Sequence, residues 1–276
     1  MTEPPLTKDF PPGWGHIEVP MGSRQAALAA LALYTPSRSR GAMVQRAARG
    51  VVRVLGPPAL PGKAVPWTPA VPAETWEGLM EAWQYALGPW ETFVSYRRRE
   101  GREGAILLLL DSNGPLAFVK AFPEAATTEA AALRAVAAHS TASFSAPRLV
   151  GEGTVGTWNW LAMSPIPPKP HRMEAGPPLE SVISEIQSAL ASLPKPSGTP
   201  DHWCPAHGDF TPWNLRSIRG RGRWLLDWED AGWAPPDGDR VLYVAAAAAL
   251  QRPVAHQEIK PGEAADYWRQ KVLRRV

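Results

Sequence analysis

Apolar residues along this chain fall into two kinds of run, one at helical spacing and one continuous or alternating, and their succession outlines the elements. SRQAALAALALY (23–34) is built of good helix formers behind Ser23, a residue suited to cap the first turn. AMVQRAARGVVRVL (42–55) fits a helix or a strand. AETWEGLMEAWQYALG (73–88) is amphipathic at helical period and ends on Gly88, where a glycine relaxes the last turn. Three strand-like runs follow, ETFVSYRR (91–98), AILLLLD (105–111) and PLAFVKAF (115–122), joined by EGREG and SNG, both suited to hairpin turns. A helix over TTEAAALRAVAAH (127–139) separates them from two further strands, APRLVGEG (146–153) and WNWLAMSPIP (158–167). A helix over 179–193, a short strand WLLDWED (224–230) and helices over 237–252 and 261–276 complete the pattern.

The connecting segments divide it. Residues 1–20 read as an irregular, Pro-rich lead-in, and PPALPGKAVPWTPAVP (57–72) as a linker, since proline is excluded from helix interiors and central strands. The expected organisation is an N-terminal extension with linker (1–72), a sheet-rich lobe (73–164) and a mainly helical lobe (165–276).

Composition narrows the class. Hydrophobic residues make up 45% and charged residues 20% of 276, the balance of a folded globular chain and not of a disordered one. The 13 tryptophans are expected mainly to supply buried ring area. A net charge of +3 is small for this length, and the arginines at 97–99 and 219–223 read as solvated hairpin loops, so no nucleic-acid partner is expected. The single Cys204 rules out an internal disulfide framework and a Cys-rich zinc site. No signal-peptide pattern opens the sequence, and the longest apolar run, 241–250, is half of what a membrane span needs. The expected compartment is the cytoplasm, and oligomeric state is left open.

One stretch carries chemistry. HGDFTPWNL (207–215) sets Asp209 and Asn214 five residues apart in a segment too rich in Pro and Trp for a helix interior. By itself this describes an Asx-stabilised turn as well as a catalytic loop. Asp227, thirteen residues beyond Asn214 at the end of a strand, favours the loop. Five strands with one helix, then a hinge, then helices bearing this motif, resemble the aminoglycoside phosphotransferase and choline kinase-like family over roughly residues 75–240. The resemblance implies an α+β, two-lobed protein kinase-like fold. Its N-lobe would be a five-stranded antiparallel sheet with one helix, and its C-lobe shortened and mainly helical.

It also implies roles. Phosphoryl transfer needs an oriented hydroxyl and neutralised phosphate charge more than covalent help. Asp209 would accept the acceptor hydroxyl's proton, with His207 bracing the loop. Asn214 and Asp227 would hold Mg²⁺ through hard oxygen ligands. Lys120, on the third strand of the sheet, would hold the α- and β-phosphates of ATP (GTP being the alternative nucleotide), with Glu129 as its partner. Met163, Ser164 and Ile166 would line the adenine site. Gly101 and Gly104 are the only glycines of the first hairpin, where protein kinases have three. Glu229 and Asp230 would meet the acceptor, a small molecule bearing a hydroxyl: a sugar, glycan precursor, amino alcohol or aminoglycoside-like compound. Only 49 residues follow Asp227, with acids and bases in equal number after it, a balance that points away from a polycationic acceptor. The competing readings are a pseudokinase that binds a nucleotide or partner without catalysis, and a nucleotidyl transferase.

Overall fold

The computed structural model describes residues 5–12, 17–34, 36, 39–96, 103–123, 127–167, 171–174, 176–250 and 259–273. The chain is α+β and divides into two compact units, residues 1–126 with 149–170 and residues 127–148 with 171–276.

The first unit is built on β1 (Leu6–Phe10), β2 (Ile17–Pro20), β3 (Val65–Pro66), β4 (Thr92–Tyr96), β5 (Ala105–Asp111), β6 (Gly114–Phe122), β7 (Leu149–Val155) and β8 (Trp158–Met163). Its helices are α1 (Arg24–Leu33), α2 (Ser39–Leu55) and α3 (Ala73–Leu87). The strands form one antiparallel sheet in the order β3-β1-β2-β4-β5-β6-β8-β7. Both faces are covered, which is why AILLLL reads as a continuous apolar run. Leu108 and Leu110 of β5 join Ala27, Ala30, Leu31 and Val52 of α1 and α2. Leu107 and Leu109, on the other side of the pleat, join Leu79 and Trp83 of α3, with Trp67, Trp158 and Trp160. The buried rings bear out the expectation for tryptophan. Ser23 caps α1, accepting a bond from the Ala26 amide at 3.2 Å.

The sheet has eight strands where five were expected, because the lead-in and the Pro-rich segment supply β1, β2 and β3. Polar residues hide β1 from a pattern reading. Thr7 and Lys8 are buried, and the Lys8 ammonium donates to the Pro58 and Leu60 carbonyls at 2.9 and 2.6 Å. A buried ammonium is tolerated when its donors are satisfied in this way. The Pro-rich stretch is packed too: Trp67 meets Trp76 at a tilt and Phe93 edge to face, and donates its Nε1–H to Glu18 at 2.9 Å.

The second unit comprises α4 (Thr127–Ala138), β9 (His171–Met173), α5 (Leu179–Ala189), β10 (Cys204–Ala206), β11 (Leu215–Ile218), β12 (Gly222–Leu225), β13 (Gly232–Ala234), α6 (Gly238–Ala249) and α7 (Glu263–Leu273). β11 pairs with β12 and β9, and β10 with β13. The strand expected over 224–230 is shorter than its sequence pattern, ending at Leu225. Among the described residues no helix is long and apolar enough to cross a membrane.

Candidate active site

Two strand pairs assemble the HGDFTPWNL loop. The β11–β12 hairpin sets Leu215 opposite Leu225, so the next residues out, Asn214 and Leu226, meet, and the Leu226 amide donates to the Asn214 carbonyl at 3.0 Å. Asp227 is therefore delivered beside Asn214. It lies in the left-handed region at φ 66°, a conformation costly for a residue with a Cβ and tolerated best by Asn and Asp. The β10–β13 pair sets Ala206 opposite Gly232, which brings His207 and Gly208 against Asp230 and Ala231. Gly208, at φ 77°, lies so close to the Asp230 backbone that a Cβ there would fall 1.9 Å from the Asp230 carbonyl oxygen.

Hydrogen bonds then lock the loop. The Asn214 side-chain amide donates to the Asp209 carboxylate (Oδ2, 2.8 Å) and to the Asp209 carbonyl (2.9 Å). Both donors point at Asp209, so the remaining polar atom of Asn214, Oδ1, is an acceptor. His207 is buried, its ring 4.5 Å from that of Trp228. Its Nε2 bonds the Leu226 carbonyl at 3.0 Å, and its Nδ1 accepts the Asp209 amide at 3.2 Å. A carbonyl only accepts, so the proton resides on Nε2. Burial lowers the imidazole from 6.5 to about 4, against the opposing pull of the Asp227 charge and the Leu226 carbonyl. His207 is a neutral brace between the Asp209 loop and the Asp227 turn at neutral pH.

Two residues that pattern reading passes over support this loop from behind. Asp239, in the first turn of α6, is buried and accepts the His207 amide (2.8 Å) and the Gly208 amide (3.2 Å). Burial pushes its carboxyl up to about 6, partly offset by those two amides and the charge of Lys271. Lys271 of α7 places its Nζ 3.4 Å from the Gly208 carbonyl, 3.6 Å from Asp230 and 4.8 Å from the centre of the Trp268 ring. Helix α7 is itself anchored by Trp268, which donates to the Gly238 carbonyl at 2.7 Å, and by Glu263, which accepts from the Trp203 indole at 2.7 Å. The short tail after Asp227 thus returns to the HGDFTPWNL loop. In sequence, Asp239 reads as a helix-start acid and Lys271 as a solvated base, and no spacing rule links either to residue 208.

The other expected site residues belong to both units. Glu229 is exposed, whereas Asp230 is half-buried and engaged with Lys271. Lys120 is buried in β6 of the first unit, and Glu129 in the first turn of α4 of the second. Met163 ends β8 as a buried side chain, followed by half-buried Ser164 and Ile166. Gly104 directs its amide to the Ala70 carbonyl at 3.3 Å, which commits a donor that a phosphate loop would offer. Gly101 lies outside the described residues.

For a divalent cation, the candidate holders are the Asn214 amide oxygen and the Asp227 carboxylate, whose backbones the Leu226–Asn214 bond brings together, and hard oxygens of this kind would suit magnesium with phosphates and water completing its shell. Among the described residues no cluster of three His, Cys, Asp or Glu side chains forms an all-protein cage.

No curated protein matches the sequence. Among solved structures, spectinomycin phosphotransferase APH(9)-Ia in complex with ADP and spectinomycin is similar at 10% identity and a TM-score of 0.46, over 68% of this chain and 82% of that one. Macrolide 2′-phosphotransferase MphH from Brachybacterium faecium shows 15% identity and a TM-score of 0.45, over 70% and 86%. Aminoglycoside phosphotransferase APH(3″)-Id from Streptomyces rimosus shows 17% and 0.41, over 65% and 85%. The family resemblance is met where the loop lies: residues 171–269, which carry His207, Asp209, Asn214, Asp227, Asp239 and the first turns of α7, match the phosphotransferase enzyme family (APH).

Proposed function

We propose that this protein is an ATP- and Mg²⁺-dependent phosphotransferase that moves the γ-phosphoryl group to a hydroxyl of a small molecule. The observation that carries this reading is the Asp209–Asn214 bond of 2.8 Å, set beside Asp227 by the hairpin register. The bond fixes the plane of the Asp209 carboxylate, so that it orients the acceptor hydroxyl and takes its proton as the new O–P bond forms. Asn214 and Asp227 hold the metal, which neutralises charge on the transferring phosphates when bound. His207, neutral at Nδ1, maintains the loop and transfers no proton. Lys120 is assigned to the α- and β-phosphates and Glu129 to its orientation. Met163, Ser164 and Ile166 are assigned to the adenine.

The acceptor is a hydroxyl-bearing sugar, glycan precursor or amino alcohol. The carboxylates expected to meet it fit an acceptor of low charge, since Asp230 is already neutralised by Lys271 and only Glu229 is exposed.

A screen of such compounds with radiolabelled γ-phosphate tests the reading. Wild type should label at least one acceptor, and Asp209→Ala should lose transfer while retaining ATP affinity. An Asp209→Ala protein that transfers at the wild-type rate refutes the assignment. ATP binding by wild type without any transfer would make the protein a nucleotide-binding relative instead, and a product heavier by AMP a nucleotidyl transferase.

A further inference from the structure

Helix α2 lies outside the segment that matches the phosphotransferase family and is not used by the proposed reaction. It turns a narrow face to the sheet unit: Ala48 and Val52 are buried, and the Gln45 side chain donates to the Leu31 and Tyr34 carbonyls at 2.6 and 2.5 Å. Its opposite face is apolar and open. Met43, Ala47, Val51 and Val54 follow one another at helical spacing, flanked by Val44 and Leu55; Met43 is 66% exposed, Val54 76% and Leu55 69%. Beside this stripe runs a row of arginines, Arg46, Arg49 and Arg53, spaced three and four apart, with Arg40 at the start of the helix.

The charge is one-sided. Residues 21–72 contain seven bases and no acid, although the whole chain has 29 bases to 26 acids. Among the described residues none of the four α2 arginines forms an ion pair. Like charges three and four apart repel along a helix, and Arg49 is lowered first by its partial burial and then by the charge of Arg53. A counter-surface of negative charge would relieve that repulsion. The exposed stripe adds a second requirement, that the same surface accept aliphatic side chains.

We propose that α2 is a peripheral membrane-docking helix that lies flat on an anionic lipid surface, with Met43, Ala47, Val51 and Val54 toward the acyl boundary and Arg46, Arg49 and Arg53 on lipid phosphates. Apolar stripe, arginine flank and absence of acid are the features of an interfacial helix. Long arginine stems let the charged heads reach the headgroups while the stripe stays buried. A lipid surface meets both requirements at once, because anionic headgroups lie directly over acyl chains that accept aliphatic side chains. Bare nucleic-acid phosphates offer nothing to the stripe. Attachment of this kind would bring the enzyme to acceptors at a membrane surface, but it stands whether or not the reaction is the one proposed above.

Co-sedimentation of the full chain with vesicles tests this directly. The chain should bind vesicles of equal phosphatidylglycerol and phosphatidylcholine, release with rising salt, and fail to bind phosphatidylcholine alone. An arginine near such a surface contributes a factor of about five, so Arg46→Gln/Arg49→Gln/Arg53→Gln should weaken binding roughly 100-fold. Met43→Ser/Val54→Ser should weaken it at least about tenfold through lost apolar burial. Should the triple variant fail to fold by circular dichroism, Arg46→Gln/Arg53→Gln alters exposed side chains only and should still lose about 25-fold. Equal binding to neutral and anionic vesicles, or unchanged binding by the arginine variants, overturns the proposal. Arginine-dependent self-association without vesicle binding would place a second copy on the helix and overturn it equally.

Discussion

Replacing Gly208 by Ala probes the closest contact in the candidate site. An added Cβ would lie 1.9 Å from the Asp230 carbonyl oxygen and 2.7 Å from its carbon, while ordinary contact begins at 3.4 Å. The 207–209 loop or the 228–231 turn must therefore move by about 1.5 Å, the difference between those two distances. Neither is free to do so cheaply. The loop is tied to Asp239 by two amides and to Leu226 through His207, and Trp228 is fully buried in the turn. Backbone at φ 77° adds about 1–2 kcal/mol for a residue with a Cβ, and overpacking of this kind a further 1–3 kcal/mol or so. The expected destabilisation is about 2–5 kcal/mol, read by urea unfolding. At a temperature where the variant is folded, displacement of Asp209 by about an ångström should lower kcat on the order of 100-fold, because near-attack geometry is lost. The KM for ATP should change little, since Lys120 and the residues after β8 are untouched. A Gly208→Ala protein with wild-type stability and kcat would show that the loop does not press on Asp230 and would refute this account of how it is positioned.

Two further outcomes follow from the support behind the loop. Lys271→Met should remove the cation between the Gly208 carbonyl, Asp230 and Asp239, costing about 1–2 kcal/mol of stability and roughly tenfold in kcat with the ATP KM unchanged, whereas Lys271→Arg should restore most of both. Equal loss in the Met and Arg variants would refute a role for the charge. The second outcome concerns acid. His207 is lowered from 6.5 to about 4, so the folded state binds fewer protons than the unfolded one in that window. Its contribution is complete above 6.5 and lost as pH falls to 4. Asp239 is raised from 3.8 to about 6, which has the opposite sign: the folded state holds the extra proton, and stability is lost as pH rises through that window. The two offset in wild type. Asp239→Asn removes the second, so its unfolding free energy should fall more steeply than wild type between pH 6.5 and 4, approaching about 1.4 kcal/mol per pH unit. Parallel pH profiles of the two proteins would show that burial does not raise the Asp239 carboxyl.

Much was legible locally. A helix cap at Ser23, a strand apolar on both faces at 105–110, and Asp209 and Asn214 placed on one loop are consequences of short-range stereochemistry and hydrophobic period, which act within a few residues. The position of Asp227 was nearly as legible, because a tight hairpin between residues 215 and 225 leaves few ways to return. Other features depended on contacts that no local rule encodes. β1 carries Thr7 and Lys8 inward and looks like coil until the Pro58 and Leu60 carbonyls, some fifty residues on, are seen to receive the ammonium. Asp239 and Lys271 resemble an ordinary helix-start acid and a surface base, and become loop supports only because the β10–β13 pair and α7 fold back on residues 207–208. The sequence by itself determined which side chains could do phosphoryl chemistry, since residue type and spacing set the available donors and acceptors. Tertiary structure alone decided how firmly they are held, because buried amides and charges 19 to 63 residues apart must find one another before a loop becomes rigid.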